Sequence, residues 1–355
     1  MRTAVFSHSL SRTGAPRVAI DVAGQLASKG DTVFLLYPSH RVKDGELNRI
    51  PEVPRSVRTV PIGGLDDYWS SSFLDPVRRR IGSNKTARAR AFELGVEALD
   101  LDGIIFNTCF HADLQRSARQ MGLSTARYLH EGSSYLSRLR RSELTVMSAG
   151  PVFACSDSVA VAARGRGLHV EEAVIPASTD SLLAVTREGS RSNELRSRKD
   201  LCALGVGTSH RKGFHWAQRL AEASDRTVCW IGDGSYGLRN LRVLPPKNFV
   251  PYEDAAVFLL LSEEEPWGLV ALEAIAHGVP LVGWRTLDVI QAAEAAGVAN
   301  GVEYGDVGGL CHAVDDVWGS APSLEAVRVF LENYTAENTV EILARRVREH
   351  FGNQR

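Results

Sequence analysis

The chain has 355 residues, of which 44% are hydrophobic and 23% are charged, and its formal net charge is −1. This length suffices for two domains with separate cores, and the composition is that of a soluble globular protein. The near-neutral charge argues against nucleic acid as a partner, and no apolar run approaches the roughly 20 residues that span a bilayer. The N-terminal segment has too few apolar residues for a signal peptide, and the five scattered cysteines indicate reduced thiols in a cytoplasmic protein.

Short runs of β-branched residues alternate with helical patterns along the whole chain, which is typical of parallel α/β architecture. In the first half, strands are predicted at 3–7, 32–37, 57–62, 103–107, 126–130, 151–155 and 172–176. In the second half, they are predicted at 201–207, 227–232, 256–261 and 280–284. The polar segment 181–200 is predicted to be a linker, and the tail 332–352 has a helical pattern.

This order predicts two doubly wound domains joined by one linker, which would leave a cleft between the carboxyl ends of their strands. Parallel sheets bind ligands in that place, so the loops that follow strands are where functional residues are expected. Two apparent nucleotide motifs are poor candidates. GDGSYG at 232–237 matches G-x-G-x-x-G, but a double proline and no helical pattern follow it, which favours a turn. GVGTSH at 205–210 lacks the third glycine.

The stretch 263–280, EEEPWGLVALEAIAHGVP, is the strongest candidate site. It follows a predicted strand, and the pattern predicts a helix that Pro266 begins and Gly278 ends. Unpaired amides at a helix N-terminus can bind a diphosphate. In this stretch they are those of Trp267, Gly268, Leu269 and Val270. Glu265 precedes this position and Glu273 lies two turns further on, so their carboxylates could accept hydrogen bonds from a sugar and a ribose. The alternative is a structural glutamate in a core helix.

Three further loops follow predicted strands. Arg211 and Lys212 lie at the start of a predicted helix, where cations are disfavoured unless an anion shares the site; a solvated pair is the alternative. His130 follows the fifth strand and is a candidate for either a binding or a structural role. Gly14 precedes Pro16 at the start of another predicted helix, whose amides could bind an anion or simply form an ordinary turn.

The stretch EPWGLVALE, with Glu265 and Glu273 as an E-x7-E pair, resembles the donor motif of retaining GT-B glycosyltransferases, especially glycosyltransferase family 4. Other segments resemble that family's blocks and follow its order. They are GAPR at 14–17, HE at 130–131, FACSDSVA at 153–160, VIPASTD at 174–180, RKG at 211–213, EAIAHGVPLV at 273–282 and NGVEYGDVGGLCHAV at 300–314. The resemblance therefore extends over nearly the whole chain.

The resemblance implies a GT-B fold of the α/β class, two Rossmann-like domains of doubly wound parallel sheet that face a cleft. Residues 1–180 would bind the acceptor and 181–335 the donor, and a helix of about 336–355 would pack back on the first domain. It implies catalytic roles for Glu265, His130 and Lys212. The implied donor-binding residues are Gly14, Arg211, Lys212, Trp267, Gly268, Leu269, Val270 and Glu273.

Two positions depart from the family pattern. The family usually has a phosphate-binding arginine shortly after the first strand of its second domain, where this chain has Val206, Gly207 and Thr208. Arg211 is the candidate substitute. In addition, a glycine pair that often borders the sugar is replaced by WRTLD at 284–288, so the identity of the donor sugar stays open.

The resemblance implies transfer of a sugar from a UDP- or GDP-sugar with retention of configuration, by a front-face mechanism that needs no cofactor and no metal. The acceptor would be a glycan, a lipid-linked molecule or a small molecule. Two alternatives stay open: a nucleotide-sugar 2-epimerase of the same fold, and a non-catalytic relative that binds nucleotide sugars.

Positive charge is concentrated in 76–92 and 133–144. A helix at 134–147 would carry Arg138, Arg140 and Arg141 together with Leu136, Leu139, Leu144 and Met147. One interpretation is peripheral contact with anionic lipid at the inner face of the membrane. The other is a solvated basic helix with an ordinary core face.

Overall fold

A computed structural model describes residues 1–10, 14–39, 52–65, 85–174, 202–207, 210–232, 237–245, 250–252, 255–336 and 340–354. The chain divides into two compact units. Unit 1 comprises Met1–Ile175 together with Val340–Arg355, and unit 2 comprises Pro176–Thr339. The predicted linker 181–200 lies outside the described residues, as does the basic segment 76–92 up to residue 84.

Unit 1 is a seven-stranded parallel sheet with helices. Its strands are β1 (Arg2–Phe6), β2 (Thr32–Pro38), β3 (Val57–Ile62), β4 (Gly103–Phe106), β5 (Ser124–Leu129), β6 (Val152–Ala154) and β7 (Glu172–Ala173). Its helices are α1 (Gly14–Ser28), α2 (Lys85–Glu97), α3 (Ala112–Gln120), α4 (Ser133–Leu136), α5 (Arg141–Met147), α6 (Asp157–Gly165) and, from the end of the chain, α12 (Val340–Gly352). The strand order is β3-β2-β1-β4-β5-β6-β7, and every pair is parallel.

The central strands of unit 1 are buried on both faces, which is why they appear in the sequence as continuous apolar runs. All four residues of β4 are buried, and Phe6, Phe92 and Phe106 pack with tilted or edge-on rings in the core. Helix α12 packs against α1, and the ring of Phe351 lies over Gly103, where an added Cβ would come within 2.6 Å of it. The C-terminal helix is thus part of the core of unit 1.

Unit 2 is a six-stranded parallel sheet with helices. Its strands are β8 (Cys202–Val206), β9 (Val228–Ile231), β10 (Leu241–Leu244), β11 (Ala255–Leu260), β12 (Leu281–Trp284) and β13 (Ala299–Val302). Its helices are α7 (Phe214–Ala223), α8 (Leu269–Ala276), α9 (Asp288–Ala295), α10 (Val307–Val317) and α11 (Leu324–Ala336). The strand order is β10-β9-β8-β11-β12-β13, again with every pair parallel.

In each sheet the strand order reverses beside the first strand of the unit. In unit 1 the reversal lies between β1 and β4, and in unit 2 it lies between β8 and β11. Loops that leave adjacent strands in opposite directions open a crevice at that point, which is where open α/β sheets bind ligands. The segments after β1, β4, β8 and β11 are therefore the first places to look for a site.

The structure corrects three predictions of secondary structure. The helix predicted over 134–147 is broken into α4 and α5 with a turn between them, and Arg140 is the N-cap of α5. The helix expected from Pro266 begins at Leu269, with Gly268 as its N-cap. Strands β10 and β13 are additional to the predicted ones, because each is only four residues long and is not wholly apolar.

The apolar side chains of the 134–147 segment lie in the core of unit 1. Leu136, Leu139, Leu144 and Met147 are all buried, whereas Arg138, Arg140 and Arg141 are all exposed. This burial favours the ordinary core face over a membrane-inserted one. Within the described ranges, no helix combines the length and apolar character that crossing a bilayer requires.

Candidate functional site

The segments after β8 and β11 form a cluster of charged residues in unit 2. The Nζ of Lys212 donates to Oε2 of Glu265 at 2.5 Å, and the Ser262 hydroxyl donates to the same oxygen at 3.2 Å. The side chain of Glu265 is only 11% exposed and that of Lys212 is 29% exposed. Two residues 53 positions apart in sequence are thus brought together at the point where the strand order reverses.

Main-chain contacts hold the same two segments together. The amide of Glu263 donates to the carbonyl of Arg211 at 3.0 Å, and Nη1 of Arg211 donates to the carbonyl of Glu264 at 3.1 Å. The short 3₁₀ helix His210–Lys212 precedes α7, so both cations lie before the helix rather than in its first turn as predicted. Lys212 directly precedes the N-cap of α7 and so still lies at the positive end of its dipole, where the carboxylate of Glu265 offsets the repulsion.

Gly213, the N-cap of α7, permits the close approach of these two segments. Its φ of 78° is in the left-handed region, and an added Cβ would lie 1.8 Å from the carbonyl oxygen of Leu261. Only glycine satisfies both the conformation and the contact. The position of Lys212, the preceding residue, therefore depends on Gly213.

We expect Gly213→Ala to lower the free energy of unfolding of unit 2 by about 2–3 kcal/mol more than Gly297→Ala. Gly297 is the matched control, because its φ is 70° but nothing lies within 4 Å of its added Cβ. Both variants carry the conformational strain, and only the first carries the clash. Urea unfolding followed by tryptophan fluorescence measures the difference, and equal losses in the two variants would show that the contact with Leu261 costs nothing.

The N-terminus of α8 provides amide donors beside this cluster. Gly268 has φ 77° and caps the helix without a side-chain hydrogen bond. The amide of Ala271 already donates to the carbonyl of Gly268 at 2.8 Å. No described residue accepts a hydrogen bond from the amides of Gly268, Leu269 or Val270. Three adjacent donors at a helix N-terminus are suited to an anion.

Glu273 lies on α8, one to two turns beyond those amides, and is held by a residue that the sequence did not single out. The hydroxyl of Tyr252 lies 2.9 Å from Oε2 of Glu273 and 3.1 Å from the carbonyl of Val270. The Tyr252 ring stacks on His277 with a centroid separation of 4.8 Å. This contact orients the Glu273 carboxylate, and no local sequence pattern reveals it because Tyr252 and Glu273 are 21 residues apart.

The loop that replaces the family's glycine pair is occupied by an ion-pair network. Nε and Nη2 of Arg285 donate to the two carboxylate oxygens of Glu294, each at 2.9 Å, and Nη1 donates to Glu303 at 2.9 Å. The hydrogen bonds that Arg285 donates to Glu294 and then to Glu303 raise the pKa of Arg285 above its usual value. Arg285 is therefore engaged by the protein itself and is a structural cation.

In unit 1, the segments after β4 and β5 fix the orientation of His130. Nε2 of His130 lies 2.8 Å from Oδ1 of Asn107, and Nδ2 of Asn107 donates to the carbonyl of Ala15 at 2.7 Å. Because a carbonyl can only accept, the amide group of Asn107 must point its NH₂ at Ala15 and its oxygen at His130. Nε2 of His130 therefore carries the proton and Nδ1 keeps a lone pair. Asn107 also links His130 to the first turn of α1, which begins at Gly14.

His130 is neutral over the physiological range. Burial and, to a smaller degree, the nearby His8 lower the pKa of His130 to about 3. Its ring also packs edge-on against Tyr128 at a centroid separation of 4.2 Å. The side chain can therefore form hydrogen bonds with a ligand, but it does not take up a second proton to become an imidazolium at pH 7.

Glu131 is the buried support of this loop cluster. Its carboxylate accepts hydrogen bonds from the Thr108 hydroxyl at 2.5 Å, the Cys109 amide at 2.8 Å and the His130 amide at 3.2 Å. Burial raises its pKa, while these hydrogen bonds act in the opposite direction. Glu131 thus joins the loop after β4 to the end of β5, which is a structural task. The HE pair divides into one residue that can face a ligand and one that holds the loop.

Each predicted site residue except Glu273, which lies within α8, is found where a strand ends or a helix begins. Unit 2 brings together Arg211, Lys212 and Glu265, with Gly268, Leu269, Val270 and Glu273 on the adjoining turn and helix. Trp267 is 5% exposed and belongs to the core beneath this turn. Gly14 and His130 lie in unit 1, joined through Asn107. Asn107, Tyr252 and Gly213 were not among the predicted site residues. Asn107, at the end of a predicted strand, and Gly213, in the RKG block, nevertheless carried a sequence signal, and Tyr252 carried none.

Comparison with known proteins gives strong matches in structure and a short one in sequence. No family model matches the chain. The N-acetyl-alpha-D-glucosaminyl L-malate synthase of Bacillus anthracis is 34% identical over 99 residues, which are 28% of this chain and 23% of that protein. The matched stretch thus spans about a quarter of the length of that relative.

Solved structures match along almost the entire chain. Sucrose-phosphate synthase from Thermosynechococcus elongatus has a TM-score of 0.70 at 15% identity, with 99% of this chain and 98% of that chain covered. Anabaena HepE in complex with UDP and glucose has a TM-score of 0.66 at 14% identity, with 99% of both covered. A glycosyltransferase from Rickettsia africae has a TM-score of 0.65 at 12% identity, with 99% and 98% covered. The fold is therefore GT-B, as the resemblance implied.

Proposed function

We propose that the chain is a retaining glycosyltransferase of the family 4 type. It transfers a sugar from a nucleoside diphosphate sugar to a glycan, a lipid-linked molecule or a small molecule, and the transfer itself requires no divalent metal. The observation that carries the proposal is the cluster after β8 and β11, in which Arg211 and Lys212 lie beside Glu265 and the three open amides of Gly268–Val270.

This cluster suits the diphosphate of the donor. Cleavage of the sugar–phosphate bond places growing negative charge on the leaving group, and fixed positive groups lower the barrier by stabilising that charge. Lys212, Arg211 and the α8 amides supply such groups. Lys212 is paired with Glu265 in the structure. On donor binding, the diphosphate takes over Lys212, and Glu265 becomes available to the hydroxyls of the sugar.

Glu273 is suited to the ribose of the donor. It lies beyond the amides on α8, and the Tyr252 hydroxyl fixes one of its two carboxylate oxygens. The other oxygen can accept hydrogen bonds from vicinal hydroxyls. The two acids of the E-x7-E pair thus have different tasks: Glu273 binds the nucleoside, and Glu265 orients the sugar and stabilises charge beside the reacting carbon.

The front-face mechanism assigns proton transfer to the substrates. The acceptor oxygen bonds to the anomeric carbon on the face from which the phosphate oxygen departs. The departing phosphate oxygen accepts the proton of the acceptor hydroxyl. No protein nucleophile is required. His130, neutral and with Nε2–H held by Asn107, presents its Nδ1 lone pair to a sugar hydroxyl. Gly14, the first residue of α1, is proposed as a further donor-binding residue of unit 1.

The comparisons support a sugar nucleotide as donor. HepE, a structural neighbour over 99% of this chain, has been solved with UDP and glucose, which favours a UDP-sugar for this chain. The L-malate synthase that matches 99 residues carries the name of a small hydroxy acid, so small-molecule acceptors belong in an acceptor screen. Where the family pattern has a glycine pair, this chain has the loop of Arg285, which pairs with Glu294 and Glu303. The sugar that is transferred is therefore identified by the donor screen.

A donor panel tests the proposal directly. Ligands that bind only the folded state raise its melting temperature, so UDP-, GDP-, ADP- and TDP-sugars are compared in EDTA-containing buffer. We expect one nucleotide series to stabilise the protein and Glu273→Ala to abolish the shift. With the matching donor and an acceptor, NMR of the product gives the anomeric configuration. If no sugar nucleotide raises the melting temperature, or if the product is inverted at the anomeric carbon, the proposal is wrong. Conversion of the donor in the absence of an acceptor would indicate an epimerase.

We expect Tyr252→Phe to weaken nucleoside diphosphate binding about three- to tenfold, because one hydrogen bond that orients Glu273 contributes about 1 kcal/mol. Isothermal titration with the nucleotide from the donor panel measures the change. Tyr304→Phe is the control, since Tyr304 is 46% exposed and packs on Trp216 and Trp284. Equal affinities of the Tyr252 variant and wild type would contradict the orienting role.

A further inference from the structure

Two histidines and a glutamate converge at the edge of the unit 2 cluster. His210 lies in the 3₁₀ turn before α7, His215 in the first turn of α7, and Glu263 in the segment after β11. One ligand atom from each lies within 4.8 Å of the others. Nδ1 of His210 is 2.8 Å from a carboxylate oxygen of Glu263, and the two imidazole rings stack with a centroid separation of 4.0 Å.

The fold brings this trio together, because His210 and His215 follow β8 whereas Glu263 follows β11. The amide of Glu263 is bonded to the carbonyl of Arg211, which places its side chain over the 3₁₀ turn. The Nδ1 atom of His215 is shielded from solvent and has no hydrogen-bond partner among the described residues. A shielded ring nitrogen without a partner carries a cost in free energy that a ligand relieves.

The ligand set selects a class of ion. Two imidazole nitrogens and one carboxylate oxygen are the donors of His₂Glu zinc centres, which keep a further position for water. Imidazole favours zinc, cobalt, nickel and copper, whereas magnesium and calcium favour all-oxygen sites. Ligands about 2.1 Å from one ion in tetrahedral geometry are about 3.4 Å apart. Ligand atoms up to 4.8 Å apart must therefore approach by at most about 1.4 Å, and the His210 and Glu263 atoms, 2.8 Å apart, must separate by about 0.6 Å. Exposed side chains make such a movement easily, since that of His210 is 74% exposed.

We propose that His210, His215 and Glu263 bind one divalent transition-metal ion of the zinc class. The site is distinct from the diphosphate cluster, because none of its three ligands is Arg211, Lys212, Glu265 or a residue of α8. It does border that cluster: His210 precedes Arg211, and Glu263 stands two residues before Glu265. The ion joins the segment after β8 to the segment after β11 and so cross-links the two sides of the turn that carries Lys212.

Isothermal titration of metal-stripped, tag-free protein with ZnCl₂ tests the site, with MgCl₂ titrated in parallel. We expect wild type to bind one Zn²⁺ and His210→Gln, His215→Gln and Glu263→Gln each to weaken binding by at least about tenfold. His169→Gln is the matched control, because the His169 side chain is 83% exposed and its nearby carboxylate belongs to Glu171. That variant keeps wild-type affinity.

Cobalt provides a second readout of the same site. Co²⁺ in a four-coordinate protein site absorbs visible light strongly, whereas hydrated Co²⁺ absorbs weakly, so the wild-type complex develops colour and the His210 variant does not. Urea unfolding in EDTA shows whether each variant folds. If His215→Gln does not fold, His210→Gln still tests the site, because the His210 side chain is exposed. Zinc binding that is undetectable in wild type, or equal in wild type and the three ligand variants, overturns the proposal.

Discussion

Replacing Lys212 by methionine lowers kcat/KM about 100- to 1000-fold, the loss typical of removing one fixed charge from a developing anion. The methionine keeps most of the packing volume and removes the ammonium group that lies 2.5 Å from Glu265. Steady-state kinetics with the donor identified by the nucleotide panel measure the change. This is the largest effect on activity that the structure leads us to expect.

The Lys212–Glu265 contact makes the effects of the two residues interdependent. Glu265→Gln removes the charge that Lys212 neutralises, and we expect it to lower kcat while nucleotide affinity changes little. In the double variant, we expect the fold-loss in kcat to be smaller than the product of the two single losses, because both residues act on the same bond between the sugar and the leaving phosphate. A fully multiplicative cycle would show that the two act separately.

The control for Lys212 is another cation of unit 2 that lies outside the cluster. Arg219 lies on α7, with its guanidinium 5.0 Å from the centre of the Trp216 ring. Arg219→Met removes one positive charge from the same helix region, so it reports any general electrostatic effect on an anionic donor. Kinetics near wild type are expected. A comparable loss in both variants would mean that long-range charge, rather than a placed ammonium group, accounts for the Lys212 effect.

The sequence predicted most strands because each is a compact apolar run that a fully buried parallel sheet requires. Its errors occurred where tertiary contacts decide the local conformation. Pro266 is a good first helical residue, yet α8 begins at Leu269, because Gly268 adopts a left-handed conformation that ends the preceding turn. The break between α4 and α5 likewise follows from Arg140 taking the N-cap position, with Glu143 accepting from its amide.

The candidate site was predictable to the extent that it is written in contiguous motifs. The E-x7-E spacing and the adjacent Arg211 and Lys212 are visible along the chain. The orienting contacts are not, because Tyr252 reaches Glu273 and Asn107 reaches His130 across 21 and 23 residues. A sequence shows which residues can accept or donate, while the partner that fixes a carboxylate oxygen or a histidine tautomer is set by the fold.

The stability of unit 1 depends on pH through His130. Its folded pKa of about 3 lies below the ordinary histidine value of 6.5. Between these values the unfolded chain binds up to one proton more than the folded one, so stability falls as pH falls through 6.5. Each pH unit in that window costs about 1.4 kcal/mol for a fully linked proton. Because the unfolded histidine is already half protonated at pH 6.5, we expect His130 to contribute a loss of about 1.6 kcal/mol from pH 6.5 to pH 5.

The His130→Gln variant isolates this contribution from other titrating groups, such as Asp21, whose pKa burial raises to about 6. The glutamine amide can still donate to Oδ1 of Asn107 but does not titrate. Urea unfolding at pH 7.5, 6.5 and 5 should show a shallower decline for this variant than for wild type, while His169→Gln, exposed and outside the cluster, declines as wild type does. Parallel declines of wild type and His130→Gln would mean that the ring takes up its proton over the same pH range in the folded and the unfolded protein. They would contradict the lowered pKa of His130 and the claim that its ring stays neutral in the folded protein below pH 6.5.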